Sequence, residues 1–446
     1  MAENKYMTTP AVYEKMPGSV PYILTNEAFE RFSFYGMRCI LVVFMTEYLL
    51  GASGELALMS EAAAKKYFHF FVAAVYFTPF IGAFLCDIFF GKFKTIVFFA
   101  LINCVGLVFL VFDQTQFGLS TGLILVAIGS GAMKPCVSAN VGDQFGRNNQ
   151  DRMQRFYGWF YFSINFGSTF STLLVPVLLN KYGPRIAFGT PCVAMILATI
   201  VYWLGRWKFI HIRPGGFGFV KECFSGEGLR AIGKLCIIYV FIAPFWAIFD
   251  QMDSSWILQA NDMNRNWFGH EWLPAQIVTL NPFFIMALIP TFEYVIYPLI
   301  NKVFRLTALH KISAGLFMTA LVFTVSALIQ RRIDLGETPS IGWQALAHLL
   351  LASSEVLVSI TCLEFSYTQA PKKMKSFIMA VFFLSITLGN MFTGAVNNFI
   401  QNKDGTSSLP GASYYWFFVK IMLVTAVLFI PVVVLYKEKT YIQDEV

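Results

Sequence analysis

The chain has 446 residues, 57% of them hydrophobic and only 13% charged, with a mean hydropathy of +0.60. A soluble domain is about one-quarter charged, and apolar runs of about 20 residues recur here along the whole length, so the composition excludes an ordinary soluble protein and indicates a polytopic helical membrane protein. The net charge of +7 fits a Lys/Arg bias toward cytoplasmic loops better than a nucleic-acid partner, and none is expected.

The first twenty residues, MAENKYMTTPAVYEKMPGSV, are polar and lack an early apolar core, so no cleavable signal is expected. Hydropathy then predicts twelve spans, at roughly 21–50, 67–90, 95–112, 119–141, 156–180, 186–207, 232–259, 275–303, 309–330, 341–368, 376–400 and 413–436. The eight cysteines are scattered, most of them in apolar runs, and read as small core residues rather than disulfides or metal ligands.

Span one contains EAFERFSFYGMR. At about 100° per residue, Glu27, Glu30, Arg31, Phe34, Tyr35 and Arg38 share one helical face. Charges at membrane depth are costly and face a bundle interior or a wet cavity. A single structural ion pair would need one acid and one base, whereas this face has two of each. In span two, His69 begins the apolar part and Tyr76 lies two turns on; a lone membrane histidine serves equally well as a structural hydrogen bonder. The loop that follows has Gly82, Asp87, Gly91, Lys92 and Lys94 in the order GxxxxDxxxGKxK, where glycine allows a tight turn and the acid and bases can make a breakable contact between helices.

Span four, GSGAMKPCVSANVGDQF, places Lys134 among small and apolar residues beside Pro135. Span five has Tyr161 and Asn165 one turn apart, a pair suited to a peptide bond or an amine but equally to helix–helix contact. The basic, Gly-rich stretch HIRPGGFGFVKECFSGEG separates spans six and seven. Span seven, FIAPFWAIFDQMDSSW, carries Trp246 and Asp250 at i, i+4. An intramembrane Asp needs a partner, and Lys134 is the expected one. Span eight has Asn281 at a proline break. Span ten, VSITCLEFSYTQAP, has Glu364, with Glu355 nearer its start and expected to be structural or gating. Span eleven contributes Phe382 and Ser385.

These stretches resemble the proton-dependent oligopeptide transporter family, a branch of the major facilitator superfamily. The resemblance rests on ExxERFxxYG in span one, the loop motif after span two, GxGxxKPCxxxxxGDQF in span four, YxxxN in span five, FWxxFDQ in span seven and the LEFSYTQAP run in span ten. Two residues depart from the pattern: Phe34 stands where the family usually has a first tyrosine, and Phe382 where a pocket tryptophan is common. His69 sits in the FVAxxYxTP context found in animal peptide transporters.

The resemblance implies an all-α membrane protein of twelve transmembrane helices in two six-helix bundles, the major facilitator fold: 1–207 an N-terminal bundle, 208–231 a cytoplasmic linker and 232–446 a C-terminal bundle. Buried charge in spans one and four, matched by charge in spans seven and ten, fits that repeat. It also implies a proton-coupled symporter of di- and tripeptides, not an enzyme, with the proton as coupling ion and no other cofactor. Arg31, Arg38 and Lys134 would attract the peptide carboxylate, and Glu364 with Asn165 and Asn281 would hold the ammonium. Tyr35, Tyr76, Tyr161, Trp246, Phe382 and Ser385 would complete the substrate site. Glu27, Glu30, Arg31, Lys134, Asp250 and His69 would carry proton coupling.

Other solutes on the same fold (nitrate, an organic anion, a peptide-like drug) are the alternative substrates, and a channel or a non-transporting peptide sensor the alternative classes. No HExxH, paired CxxC or Walker-type phosphate loop is present, so no metal site or ATP-driven pump is expected. The larger share of Lys and Arg falls on the side that places both termini in the cytoplasm, which predicts a multi-pass plasma-membrane protein (inner membrane if bacterial). A monomer suffices.

Overall fold

A computed structural model describes residues 6–8, 16–145, 153–211, 214, 216, 225–369, 375–402 and 407–436. All twelve expected spans are helical. They are built from α1 (Val20–Glu47), α2 (Glu61–Leu85), α3 (Lys92–Phe112), α4 (Gln116–Asp143), α5 (Met153–Tyr182), α6 (Pro184–Leu204), α7 (Gly226–Phe249), α8 (Ser255–Asn261), α9 (Leu280–Thr291), α10 (Tyr297–Asn301), α11 (Ala308–Asp334), α12 (Gly342–Glu355), α13 (Thr361–Gln369), α14 (Lys375–Ile400) and α15 (Ala412–Leu435). Eleven of the spans among the described residues are long and apolar enough to cross a membrane. The charges on α1 set that helix apart.

The second helix begins at Glu61 rather than at 67. Ser60 Oγ accepts from the Ala63 amide at 3.3 Å, Glu61 favours the positive helix start, and three alanines follow. This turn is polar but strongly helix-forming, so hydropathy passes over it. His69 is therefore well inside the helix, not at its beginning.

Several spans are interrupted. π turns occupy Cys86–Phe90, Phe292–Ile296 and Val356–Ile360, and a 3-10 turn occupies Asp250–Asp253. Such irregularities often mark functional positions. Asp250 opens the 3-10 turn, and Glu355 is the last regular residue before the third π turn. A two-residue hairpin, Asn266–Trp267 with His270–Glu271, turns through Phe268 and Gly269, both at positive φ.

The chain forms two compact units. Unit 1 comprises Met1–Ile40, Tyr48–Ala57 and Ala74–Ser225. One core cluster packs Ile23, Ile96, Val137, Val141, Tyr202 and Phe209 together. Beside it Asn140 donates to the Tyr202 hydroxyl (2.8 Å), and Gln144 Oε1 accepts from the Ile210 amide (3.1 Å). The GDQF run thus ties α4 to the segment after α6. Lys92 of the loop motif pairs with Asp143 of that run. Helix α4 lies hard against α2 because Gly131 has no side chain: a Cβ there would collide with the Val75 carbonyl and the Thr78 hydroxyl.

Unit 2 comprises Leu41–Glu47, Leu58–Ala73 and Gly226–Val446. The first half of α2 runs along α14 in this unit: Gln401 donates to Ser60 Oγ (3.0 Å), and Thr387 Oγ1 donates to the Ala73 carbonyl (3.3 Å). Helix α14 also presses on α7 at Gly389, where a Cβ would meet the Ala243 carbonyl. That close approach brings the next residue, Asn390, to Asp250.

Candidate functional site

Each unit has its own cluster of buried charge. In unit 1, Glu27 and Glu30 are buried on α1, and Arg31 stands between them. Its Nε lies 2.7 Å from Glu27 Oε1 and 3.0 Å from Glu30 Oε2. One guanidinium nitrogen thus meets two carboxylates, and charge-assisted contacts of this kind are among the stronger polar interactions. Ser130 Oγ on α4 donates to Glu30 Oε1 at 3.2 Å. Arg38 is buried further along the same helix.

Lys134 is 8% exposed. Its Nζ sits 4.1 Å from the Phe34 ring centroid and 4.7 Å from that of Tyr76. Both lie within cation–π range, and the attraction grows when the cation is desolvated. The absence of a hydroxyl at Phe34 therefore leaves the ring contact intact. Tyr35 packs edge-on against Phe34, with centroids 5.4 Å apart. Asn165 donates to the Tyr161 backbone carbonyl (2.9 Å), and the Tyr161 side chain is exposed. Their shared face is real, but the bond between them runs from side chain to backbone.

In unit 2, Asp250 Oδ2 accepts from Asn390 Nδ2 at 2.6 Å. The other end of that amide, Asn390 Oδ1, meets His69 Nδ1 at 2.7 Å, and His69 Nε2 meets Ser254 Oγ at 3.0 Å. Because Asn390 Oδ1 can only accept, Nδ1 carries the proton; Nε2 of neutral His69 then accepts from Ser254. Protonation would reverse the Ser254 bond and leave the Asn390 bond in place. His69 is fully buried.

The sequence reading pairs Asp250 with Lys134. Within its own unit Asp250 is held by Asn390 and linked through that amide to His69, while Lys134 has its two rings. Trp246 is buried, its ring edge-on to Phe382 at 6.3 Å, and its indole N–H has no partner among the described residues. Ser385 Oγ turns back to the Phe382 carbonyl (2.7 Å).

The two glutamates of span ten have different surroundings. Glu364 is exposed on α13. Glu355 accepts from Asn281 Nδ2 at 3.0 Å. The acid that meets Asn281 within unit 2 is therefore Glu355. Asn390, Ser254 and Ser130 were also absent from the sequence-based site. Asn390 and Ser130 have a local signal, each a polar residue directly after a glycine in an apolar span.

A family model described as "POT family" matches residues 93–225 and 220–417. The chain belongs to the POT family. It is 33% identical to "Peptide transporter family 1" of Drosophila melanogaster, over 71% of this chain and 48% of that protein. It is also 33% identical to "Solute carrier family 15 member 1" of Mus musculus, over 71% of this chain and 52% of that one. The chain spans about half the length of the curated relatives it matches. Among solved structures, the POT family transporter PepTSo matches with a TM-score of 0.85 and 36% identity, covering 94% of this chain and 98% of that one. A structure titled as an auto-inhibited POT family peptide transporter matches with a TM-score of 0.86 and 31% identity, over 96% and 99%. The fold is that of the POT family, a major facilitator fold, and the POT family comprises transporters rather than enzymes.

Proposed function

We propose that this POT family chain is a proton-coupled symporter of di- and tripeptides that works by alternating access. The observation that carries the reading is the sign of the buried charge in each unit. Unit 1 buries Glu27 and Glu30 with Arg31, Arg38 and Lys134, a surplus of base; unit 2 buries Asp250 and holds Glu355 on Asn281, a surplus of acid. A zwitterion needs both signs. In this reading Arg31, Arg38 and Lys134 take the peptide carboxylate, and Glu355 with Asn281 takes the ammonium. Tyr35, Tyr76, Tyr161, Asn165, Trp246 and Phe382 supply faces and polar tips that tolerate varied side chains. Protons act at Glu27 or Glu30, where each carboxylate competes for Arg31, and at the His69–Asn390–Asp250 chain. A proton at either place changes which conformer is favoured.

The peptide names of the relatives support the substrate class. The Lys/Arg bias supports a plasma-membrane protein with both termini cytoplasmic, and a monomer bears every residue the reading uses. The test is uptake of labelled dipeptide into proteoliposomes. Accumulation with an inward proton gradient, and only equilibration without one, is the expected result. Equal uptake in both conditions removes the coupling. Binding without uptake makes the protein a sensor, and unsaturable flux makes it a channel.

A further inference from the structure

Unit 2 has a polar cavity that the transport reading does not use. It measures about 280 Å³ and lies among helix ends: the start of α2, α8 and the residue after it, the end of α11 and the turn into α15. Lys65 dominates it. That side chain is 13% exposed, yet its ammonium makes no hydrogen bond among the described residues; the Glu61 carboxylate is 3.9 Å away and the Tyr414 ring centroid 4.5 Å away. A largely buried ammonium whose ion pair is long and whose other contact is a ring keeps N–H donors for an anion. Two exposed carboxylates, Glu61 and Asp262, share the lining with it.

The walls are fixed in place. Tyr414 is buried, and its hydroxyl accepts from Asn397 at 3.1 Å. Tyr415 donates to the Ser255 carbonyl at 3.2 Å. Gly411, at φ 52°, turns the chain into α15, and the next amide, Ala412 N–H, donates to Asp334 at 2.8 Å. A Cβ at Gly411 would strike the Asp334 carboxylate, so this wall depends on glycine.

The geometry points to a second ligand site here, for a zwitterion the size of an amino acid or dipeptide. The ligand carboxylate takes the Lys65 ammonium, its own ammonium takes Asp262 and Glu61, and its side chain lies on the Tyr414 and Leu258 surfaces. The volume is near the lower end for small-molecule sites, about 300 Å³, and admits nothing much larger. The proposal takes only the ligand class from the transport reading; binding here does not require transport.

The test uses the full-length protein in nanodiscs and labelled alanylalanine. Saturation should give two equivalents. Lys65→Gln should remove one of them or weaken it at least tenfold, and Lys65→Arg should restore it. Lys134→Ala should affect only the other. Asp262→Asn, at an exposed carboxylate, should weaken the same equivalent as Lys65→Gln and so decides the matter if Lys65→Gln fails to fold. A photoreactive dipeptide should label residues 255–262 or 407–415 in wild type and not in Asp262→Asn. One equivalent that is lost in Lys134→Ala and unchanged in Asp262→Asn overturns the second site. One equivalent that depends on Asp262 and Lys65 but not on Lys134 keeps the second site and overturns the central one.

Discussion

Asn390 donates to Asp250 Oδ2 at 2.6 Å while its carbonyl oxygen takes the His69 Nδ1 proton at 2.7 Å. A single amide thus joins the buried histidine of α2 to the buried aspartate after α7, and both its ends are in use. Asn390→Leu keeps the volume and removes both bonds. The bond to buried Asp250 is worth roughly 1.5–3 kcal/mol and that to neutral His69 about 1 kcal/mol, so the apparent melting temperature should fall by several degrees. Proton-driven dipeptide uptake should fall at least tenfold. Unchanged pH dependence of uptake in Asn390→Leu would separate this chain from coupling.

The two span-ten glutamates offer a direct comparison. Glu355→Gln should weaken binding of a free dipeptide at least tenfold, about 1.4 kcal/mol, with little effect on its N-acetylated form, which has no ammonium. Glu364→Gln, at an exposed position, should stay within about twofold of wild type. Binding assays on both variants check the assignment, and the opposite pattern would return the ammonium to Glu364.

Lys134 between Phe34 and Tyr76 makes a prediction about rings rather than hydroxyls. Phe34→Leu removes one cation–π partner of a desolvated ammonium, worth on the order of 2 kcal/mol, and should weaken dipeptide binding several-fold or more. Phe34→Tyr keeps the ring and should bind like wild type. A loss in Phe34→Tyr equal to that in Phe34→Leu would show that packing at this position, not the ring face, matters.

Arg31 serves two carboxylates, so neutralising one leaves the other with the whole guanidinium. Glu30→Gln should abolish accumulation driven by a proton gradient but retain counterflow, because exchange does not require the proton to be released. Gradient-driven and counterflow assays on the same preparation check this. Full accumulation would take Glu30 out of coupling.

Blocking the ends of the substrate should have separable effects. N-acetyl and C-amide dipeptides should each compete more weakly than the free form, since each leaves one buried protein charge unpaired. In Glu355→Gln only the C-amide penalty should remain. Equal competition by all three forms in wild type would exclude recognition of both ends.

Much of this was legible from the amino-acid sequence alone. Twelve apolar runs, the charged face of α1, Lys134 in a small-residue helix and Asp250 after Pro244 depend on composition and helical periodicity, which are properties of neighbouring residues. Bilayer length and the cost of buried charge turn those patterns into spans and candidate sites without knowledge of what packs against them. The tertiary structure decided the partners. Glu355 and Glu364 are nine residues apart, about half a turn out of phase on a regular helix. Which one meets Asn281, some seventy residues earlier in the chain, depends on the π turn Val356–Ile360 between them and on where that amide lies. Asn390 meets Asp250 only because Gly389 lets α14 approach α7, and His69 reaches that amide because the first half of α2 packs with the C-terminal helices rather than with those nearest it in sequence. A side chain's chemistry can be read from its identity, but its partner is set by helix rotation and close approach, which depend on residues far away in the chain.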